Sequence, residues 1–421
     1  MRFEFDGQLD TTFGSGGQVI ADFPGTGREW LNTGVPTTVT TTNDRYLAAG
    51  MVRDASSSRL LIARYRTSNG ALDTAWGTQG VVVHDVPGFA FDEIARIVID
   101  SSNRIVASGR VSDANGRESF LITRFLANGQ LDVSFNGTGR VIFNVTATSS
   151  DRPIFGLALD GSGRIVVAGF TLQAPGQHST ARSVVLRFNA SGLFDPNFGT
   201  GGRVITQLPG TVASMLHDVA IDVMGRPVVT GFSRTTANGV SRATMARFTT
   251  AGVIDATFNG TGVRLASFPN RPGAANCNDV AIDMANNYTF SCHSQNPSNQ
   301  ALEITIVRLL PSGAFDNSFS GDGRLVTSLG SGANAIDNPV RALFPLNIFT
   351  PPLIVVGYQQ AADGDSGNFV GVGYNADGSL ATMWGDQGIV LEQMPGYGHS
   401  TFYDGFTLGD GKVAVFGWVE N

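Results

Sequence analysis

The sequence predicts an all-β fold, a seven-bladed β-propeller with four-stranded antiparallel blades. Three observations predict it. One segment recurs seven times at a spacing of about 60 residues. Each repeat unit holds four short runs rich in Val, Ile and aromatics, with no sustained helical period. The two chain ends carry complementary parts of one unit, so that pairing N-terminal with C-terminal strands closes a ring and removes open sheet edges.

The recurring segment reads GQLDTTFGSGGQVI from Gly7, GALDTAWGTQGVVV from Gly70 and GQLDVSFNGTGRVI from Gly129. It returns as GLFDPNFGTGGRVI, GVIDATFNGTGVRL and GAFDNSFSGDGRLV, and last as GSLATMWGDQGIVL from Gly378. A second motif lies midway between copies: RYLAAG ending at Gly50, RIVASG at Gly109, RIVVAG at Gly169, RPVVTG at Gly231, NYTFSC at Cys292, LIVVG at Gly357 and KVAVFG at Gly417. The third unit shows the four runs as IFGLALD, RIVVAGF, SVVLRF and GRVITQL. We letter them A to D outward from the central channel. Residues 1–421 are read as one domain, with blades at about 33–86, 90–145, 152–208, 215–268, 277–329 and 337–392, and a last blade made of 399–421 plus 1–24.

The LD-x-x-F-G-x-x-G run and the GRI-x-V-x-G run, at this spacing and over the whole chain, resemble the bacterial delta-60 repeat. That resemblance implies a propeller. It implies no catalytic residues.

Composition narrows the function classes. The 421 residues include 53 Gly, are 42% hydrophobic and only 15% charged, which excludes a charge-rich disordered chain. A net charge of -7 argues against nucleic acid or an anionic membrane surface as partner. No apolar run is long enough for a membrane-spanning helix. The N-terminal MRFEFDGQLD lacks the build of a secretory signal. The expectation is therefore a cytoplasmic or virion-associated protein, or one exported by a signal-independent route.

Residues that recur in every unit are expected to be structural. The aromatic column (Phe13, Trp76, Phe135, Phe198, Phe258, Phe319, Trp384) is expected to fill the space between blades. The A–B turns beginning at Asp100, Asp160, Asp222 and Asp283 place Asn103, Gly163, Gly225 or Asn286 where a tight hairpin needs a left-handed residue. Arg precedes Asp by eight or nine residues in six copies: Arg2/Asp10, Arg64/Asp73, Arg124/Asp132, Arg187/Asp195, Arg247/Asp255 and Arg308/Asp316. The seventh copy has Gly373 and Ala381, losing both together, as expected if the two form a buried ion pair bracing the C–D turn.

Function is expected on the face formed by the longer, variable B–C and D–A loops. Arg28, Trp30, Phe89 and Tyr397 are the candidate anchors there, because aromatics and Arg dominate binding hot spots. His84, His178, His217, His293 and His399 are scattered, without metal-ligand or catalytic spacing. The run Asp363–Asn368 has a calcium-loop flavour but Tyr374 where the bidentate Glu belongs. No metal and no cofactor is expected. Cys277 and Cys292 lie on strands A and B of one unit and are read as buried thiols, a cross-strand disulfide being the alternative. The functional expectation is a non-catalytic structural or binding propeller within a larger assembly (a phage virion or tail, or a surface array) that contacts other protein subunits. The alternatives are a carbohydrate- or peptide-binding receptor module and a propeller-type glycosidase or polysaccharide lyase.

Overall fold

Runs such as Ile165–Leu172 become strands because β-branched and aromatic side chains fit a pleated surface packed on both faces. Polar turns with left-handed residues end them: Asn103, Gly163, Gly225 and Asn286 all have positive φ, between 58° and 75°. The computed structural model describes all residues except 24–26, 38–44, 147, 174–176, 331, 346–350, 361–366, 395–396, 398 and 421, and omits the side chains of 152–155, 399 and 420.

Strand β1 is Arg2–Phe3. The first complete sheet joins β2 (Arg28–Pro36), β3 (Arg45–Arg53), β4 (Ser58–Arg66) and β5 (Val81–His84). The second joins β6 (Phe91–Ile99), β7 (Ile105–Ser112), β8 (Glu118–Phe125) and β9 (Arg140–Phe143). The third has β10 (Ser150–Leu159), β11 (Ile165–Leu172), β12 (Arg182–Phe188) and β13 (Arg203–Thr206). The fourth has β14 (Ala213–Ile221), β15 (Pro227–Arg234), β16 (Arg242–Arg247) and β17 (Val263–Ala266). An eight-stranded sheet follows. It contains β18 (Ala275–Ile282), β19 (Tyr288–Gln295), β20 (Leu302–Leu309) and β21 (Arg324–Thr327), then β22 (Ile336–Leu343), β23 (Leu353–Gln360), β24 (Gly367–Tyr374) and β25 (Ile389–Gln393). The closing sheet is β1 with β26 (His399–Thr407) and β27 (Val413–Glu420).

The architecture is an all-β propeller, but seven equal four-stranded blades are not what the described strands form. Counted by hydrogen-bonded sheets of four strands or more, there are five and not seven, plus one sheet of three. Two local causes account for the difference. A parallel bridge, Leu302↔Ile336, fuses β18–β21 with β22–β25 into one sheet. In the closing sheet β1 is two residues long, and residues 19–23 form no strand beside it.

The chain ends meet in that sheet. Arg2 pairs with Ala414 and Phe3 with Val413. The inner strands β2, β6, β10, β14, β18, β22 and β26 each contact the next, and β26 returns to β2. The repeated segment stitches neighbouring units together. Phe135 packs under Gly192 of the following unit, and Asn136 N–H donates to Ser191 O at 2.8 Å. The same contact crosses the chain termini, where Trp384 packs under Gly7 and Gly385 N–H donates to Asp6 O at 2.7 Å.

This seam predicts the effect of one methyl group. Gly7 has φ +86°, and an added Cβ would lie 2.8 Å from Gly385 N and 3.0 Å from the Trp384 ring. Gly7→Ala is expected to lower unfolding stability by about 1–3 kcal/mol in thermal or urea unfolding. Gly161→Ala, with open space around its Cβ, is the control and should be neutral.

Candidate functional site

Three sets of residues bear on function: the clamp at each seam, a cluster on the central axis, and the loop face. At the clamp, Arg–Asp N···O separations are 2.5 Å for Arg2–Asp10, 2.7 Å for Arg64–Asp73, Arg124–Asp132 and Arg247–Asp255, 2.8 Å for Arg187–Asp195 and 3.1 Å for Arg308–Asp316. Each guanidinium also sits over its own repeat aromatic, from 4.4 Å (Arg2 over Phe13) to 5.8 Å (Arg308 over Phe319). A remaining N–H of Arg2, Arg124, Arg187 and Arg247 reaches a backbone carbonyl of the next unit: Thr67, Ala190, Thr250 and Pro311. Only a planar fork of five donors makes all three contacts at once. Gly373 stands in the seventh copy against Pro351 and Trp384, which fill the space an Arg side chain would need.

Sequence reading missed a second cation. Asp73 also accepts from Arg45 at 2.7 Å, and Asp10 from Lys412 at 2.7 Å. Arg164 and Arg226 approach Asp195 and Asp255 at 3.5 and 3.4 Å. These are the first residues of the RYLAAG, RIVVAG, RPVVTG and KVAVFG motifs, so the signal was present. Burial acts to raise the Asp10 carboxyl, yet Lys412, Thr12 and Arg2 together hold it well below the usual carboxylate range.

The axial cluster was not foreseen. Each inner strand carries a β-bulge, such as between Ile94 and Arg96, Leu216 and Asp218, Cys277 and Asp279, or Phe402 and Asp404. A glycine of the second strand faces it: a Cβ on Gly109 would fall 1.8 Å from Glu93 O. The bulge turns the next residue toward the axis. Buried Arg96 thereby lies 3.4 Å from Asp218, Asp279 and Asp404, and Arg341 lies 2.9 Å from Asp404. The carboxylates also bind the neighbouring inner strand, accepting from Val280, Ala342 and Gly34 N–H at 3.1–3.2 Å. Burial pushes all three carboxyls up, Asp279 furthest because Asp218 stands beside it, and the Arg96 guanidinium opposes the shift.

Beside this cluster, His293 Nδ1 lies 3.1 Å from Asn338 Oδ1, which also accepts from Asn278 at 2.8 Å. Burial pulls His217 and His293 down to about 4. Cys292 occupies the glycine column of its unit, opposite Cys277, and the two form a disulfide. This corrects the expectation of two thiols: the register that elsewhere excludes a Cβ here sets two sulfurs face to face. Among the described residues no group of three His, Cys, Asp or Glu side chains could hold a metal ion, and no helix is long and apolar enough to cross a membrane. Asp363 and Asp365 of the calcium-like run lie outside the described residues.

The four loop-face anchors are not brought together. Phe89 packs into the apolar cluster of Val86, Ile94 and Val111, and Tyr397 packs against the cluster holding Met394 and Phe402. Arg28 and Trp30 line a cavity of about 440 Å³ at the closing seam, with Trp418, Phe402, Met394 and Phe416. The Trp30 and Trp418 rings meet edge to face at 6.2 Å.

A family model described as "Domain of unknown function (DUF5122) beta-propeller" matches residues 101–135, 161–198 and 225–258, a minority of the chain. The matched stretches end at Phe135, Phe198 and Phe258. The match is to a propeller family and does not name the delta-60 repeat. No curated protein matches the sequence. Similar solved structures include Sqt1 from Chaetomium thermophilum bound to the N-terminus of the ribosomal protein L10 (12% identity, 94% of this chain and 98% of that chain, TM-score 0.45). They also include an alpha-L-arabinofuranosidase of Fusarium graminearum with arabinobiose (10%, 77% and 91%, 0.44) and a polysaccharide lyase, Ulvanlyase (10%, 84% and 79%, 0.43).

Two measurements probe this chemistry. Arg187→Met leaves Asp195 with only the more distant Arg164, 3.5 Å away, and should cost about 2–3 kcal/mol in urea unfolding, while the Arg187→Met/Asp195→Leu double variant should cost less than the sum of its singles. His293 is neutral when folded down to about pH 4, whereas an unfolded His takes its proton near pH 6.5. Its contribution is therefore whole above pH 6.5 and is lost as pH falls toward 4, at most about 3 kcal/mol at ~1.4 kcal/mol per unit. His293→Gln should flatten the loss of urea-unfolding stability over that window.

Proposed function

We propose that this chain, 1–421 acting as one unit, is a non-catalytic binding propeller. It serves as a subunit of a larger assembly, such as a virion, tail or surface array, and offers its B–C/D–A loop face to a protein partner. One observation carries the reading: the aromatic cavity at the closing seam, where Arg28 and Trp30 stand beside Trp418. A concave site with aromatic walls and an Arg at its rim has the make-up of a protein hot spot. The axial carboxylates and arginines, by contrast, are spent on one another and on neighbouring backbone N–H groups.

The experiment is retention of partners from the source cells on the immobilised full-length chain, quantified by mass spectrometry. The Arg28→Ala/Trp30→Ala variant should retain about tenfold less of the specific partner, which is roughly 1.4 kcal/mol of binding free energy, while still unfolding in one cooperative thermal transition. Equal retention by variant and parent would overturn the reading.

A further inference from the structure

The central axis is closed partway along its length. Arg96 of the second sheet lies 3.4 Å from Asp218, Asp279 and Asp404, which come from three other inner strands, so the cluster plugs the channel. Each inner strand runs from a D–A loop toward an A–B turn, so residues before its bulge lie on the loop side of the plug. Residues after the glycine column of the second strand lie beside them: Met215 pairs with Phe232, Asn276 with His293 and Asn338 with Tyr358. On β15, β19 and β23 each of these rings follows five buried residues and is itself half-buried. Three consecutive units thus place a ring at one register position around the loop-side mouth.

Hydrogen bonds fix which atoms this mouth offers. Asn278 Nδ2 donates to the Pro339 carbonyl and to Asn338 Oδ1, both at 2.8 Å, so the atom that Asn338 turns toward His293 is an oxygen. His293 Nδ1, 3.1 Å from that oxygen, therefore carries the ring proton. Burial pulls His293 down to about 4, so the ring stays neutral and its Nε2 is an acceptor. Asn338 Nδ2 donates to the Tyr358 hydroxyl oxygen at 3.0 Å, which leaves the hydroxyl hydrogen as a donor. Asn276 stands on the same face as His293, and its Oδ1 is buried without a hydrogen-bond partner among the described residues. Two acceptors and one donor are held beside aromatic rings, and none of them is charged.

We propose that this loop-side mouth binds one neutral sugar ring, the end of a glycan, with His293 Nε2 and Asn276 Oδ1 accepting from its hydroxyls, Tyr358 donating to one, and Phe232 against its apolar face. The proposal goes beyond the seam reading and uses other residues. Neighbouring hydroxyls suit the pattern because each both donates and accepts, and its hydrogen rotates to fit. A carboxylate or phosphate does not, since it would face two lone pairs and lose its hydration. The torsion that turns the Asn276 amide is broad, so its oxygen can meet a hydroxyl. A buried acceptor without a partner costs stability, and a bound hydroxyl removes that cost.

The test titrates the full-length protein with the methyl pyranosides of glucose, galactose, mannose and N-acetylglucosamine, read by calorimetry and saturation-transfer NMR. At least one should bind saturably at 1:1 with a Kd of about 1 mM, as expected for a ligand of this size. His293→Phe, which keeps a ring but no acceptor, and Tyr358→Phe should each weaken it about tenfold or more. Tyr358→Phe removes a single oxygen and keeps the test decisive if His293→Phe folds poorly. Asn276→Leu should weaken binding without lowering the thermal midpoint, because the oxygen it removes has no partner in the free protein. A lowered midpoint would assign Asn276 to the fold and overturn its part in the site. Arg28→Ala/Trp30→Ala should bind the sugar as the parent does. No binding by any of the four pyranosides, binding unchanged in His293→Phe and Tyr358→Phe, or equal binding of methyl glucuronide would overturn the proposal. Sugar binding lost in Arg28→Ala/Trp30→Ala but kept in Tyr358→Phe would place it at the seam and overturn the proposal as well.

Discussion

The ring depends on one side chain used in three directions. The guanidinium of Arg187 is held by Asp195, covers the Phe198 ring at 4.5 Å and donates to Thr250 O of the next unit at 2.5 Å. The first contact fixes the turn, the second fills the seam, and the third reaches across it. Because Arg187 and Asp195 are both nearly inaccessible, removing either leaves the other buried with weaker compensation: Asp195 with Arg164 at 3.5 Å, Arg187 with Thr250 O. Where the pair is absent, at Gly373 and Ala381, the aromatic contact to the next unit's glycine remains, with Trp384 against Gly7.

The axis works differently. A glycine in the second strand permits a bulge in the first, and the bulge swings one residue inward. The backbone constraint is shared by many units, but the residue delivered is not: Arg96, Asp218, Asp279, Arg341 and Asp404 make a cluster without rotational symmetry. Ion pairs buried this deeply bring little net stability, because desolvation offsets most of their attraction. Their carboxylates also accept from N–H groups of the adjacent inner strand.

These two regions explain how much was legible. The strands, the turns with left-handed Asn and Gly, and the Arg, Asp and aromatic columns are local or periodic, so they can be seen in one chain. The second cation of the clamp was visible as the first residue of a motif but was read only as a strand start. The axial cluster was not legible, because the glycine that permits each bulge was read only as the end of a strand motif and the inward residue differs from unit to unit. The disulfide stood only as the alternative to two buried thiols, because a hairpin read from sequence does not fix the register that sets Cys277 directly opposite Cys292. Equal blades failed at two places that no repeat count reveals: a single bridge at Leu302–Ile336, and a third strand only two residues long.

That short strand marks where the sheets stop being equivalent. In other units the third strand pairs with the second over six to nine positions, whereas among the described residues β1 pairs with β27 at Arg2–Ala414 and Phe3–Val413. The same sheet carries Trp418 against Trp30 of its neighbour, and both rings line the cavity at the closing seam. A strictly repeated seam would present the same surface in every unit, so only a departure from the repeat can make one seam chemically different from the rest. The binding site proposed above is placed at such a departure for that reason.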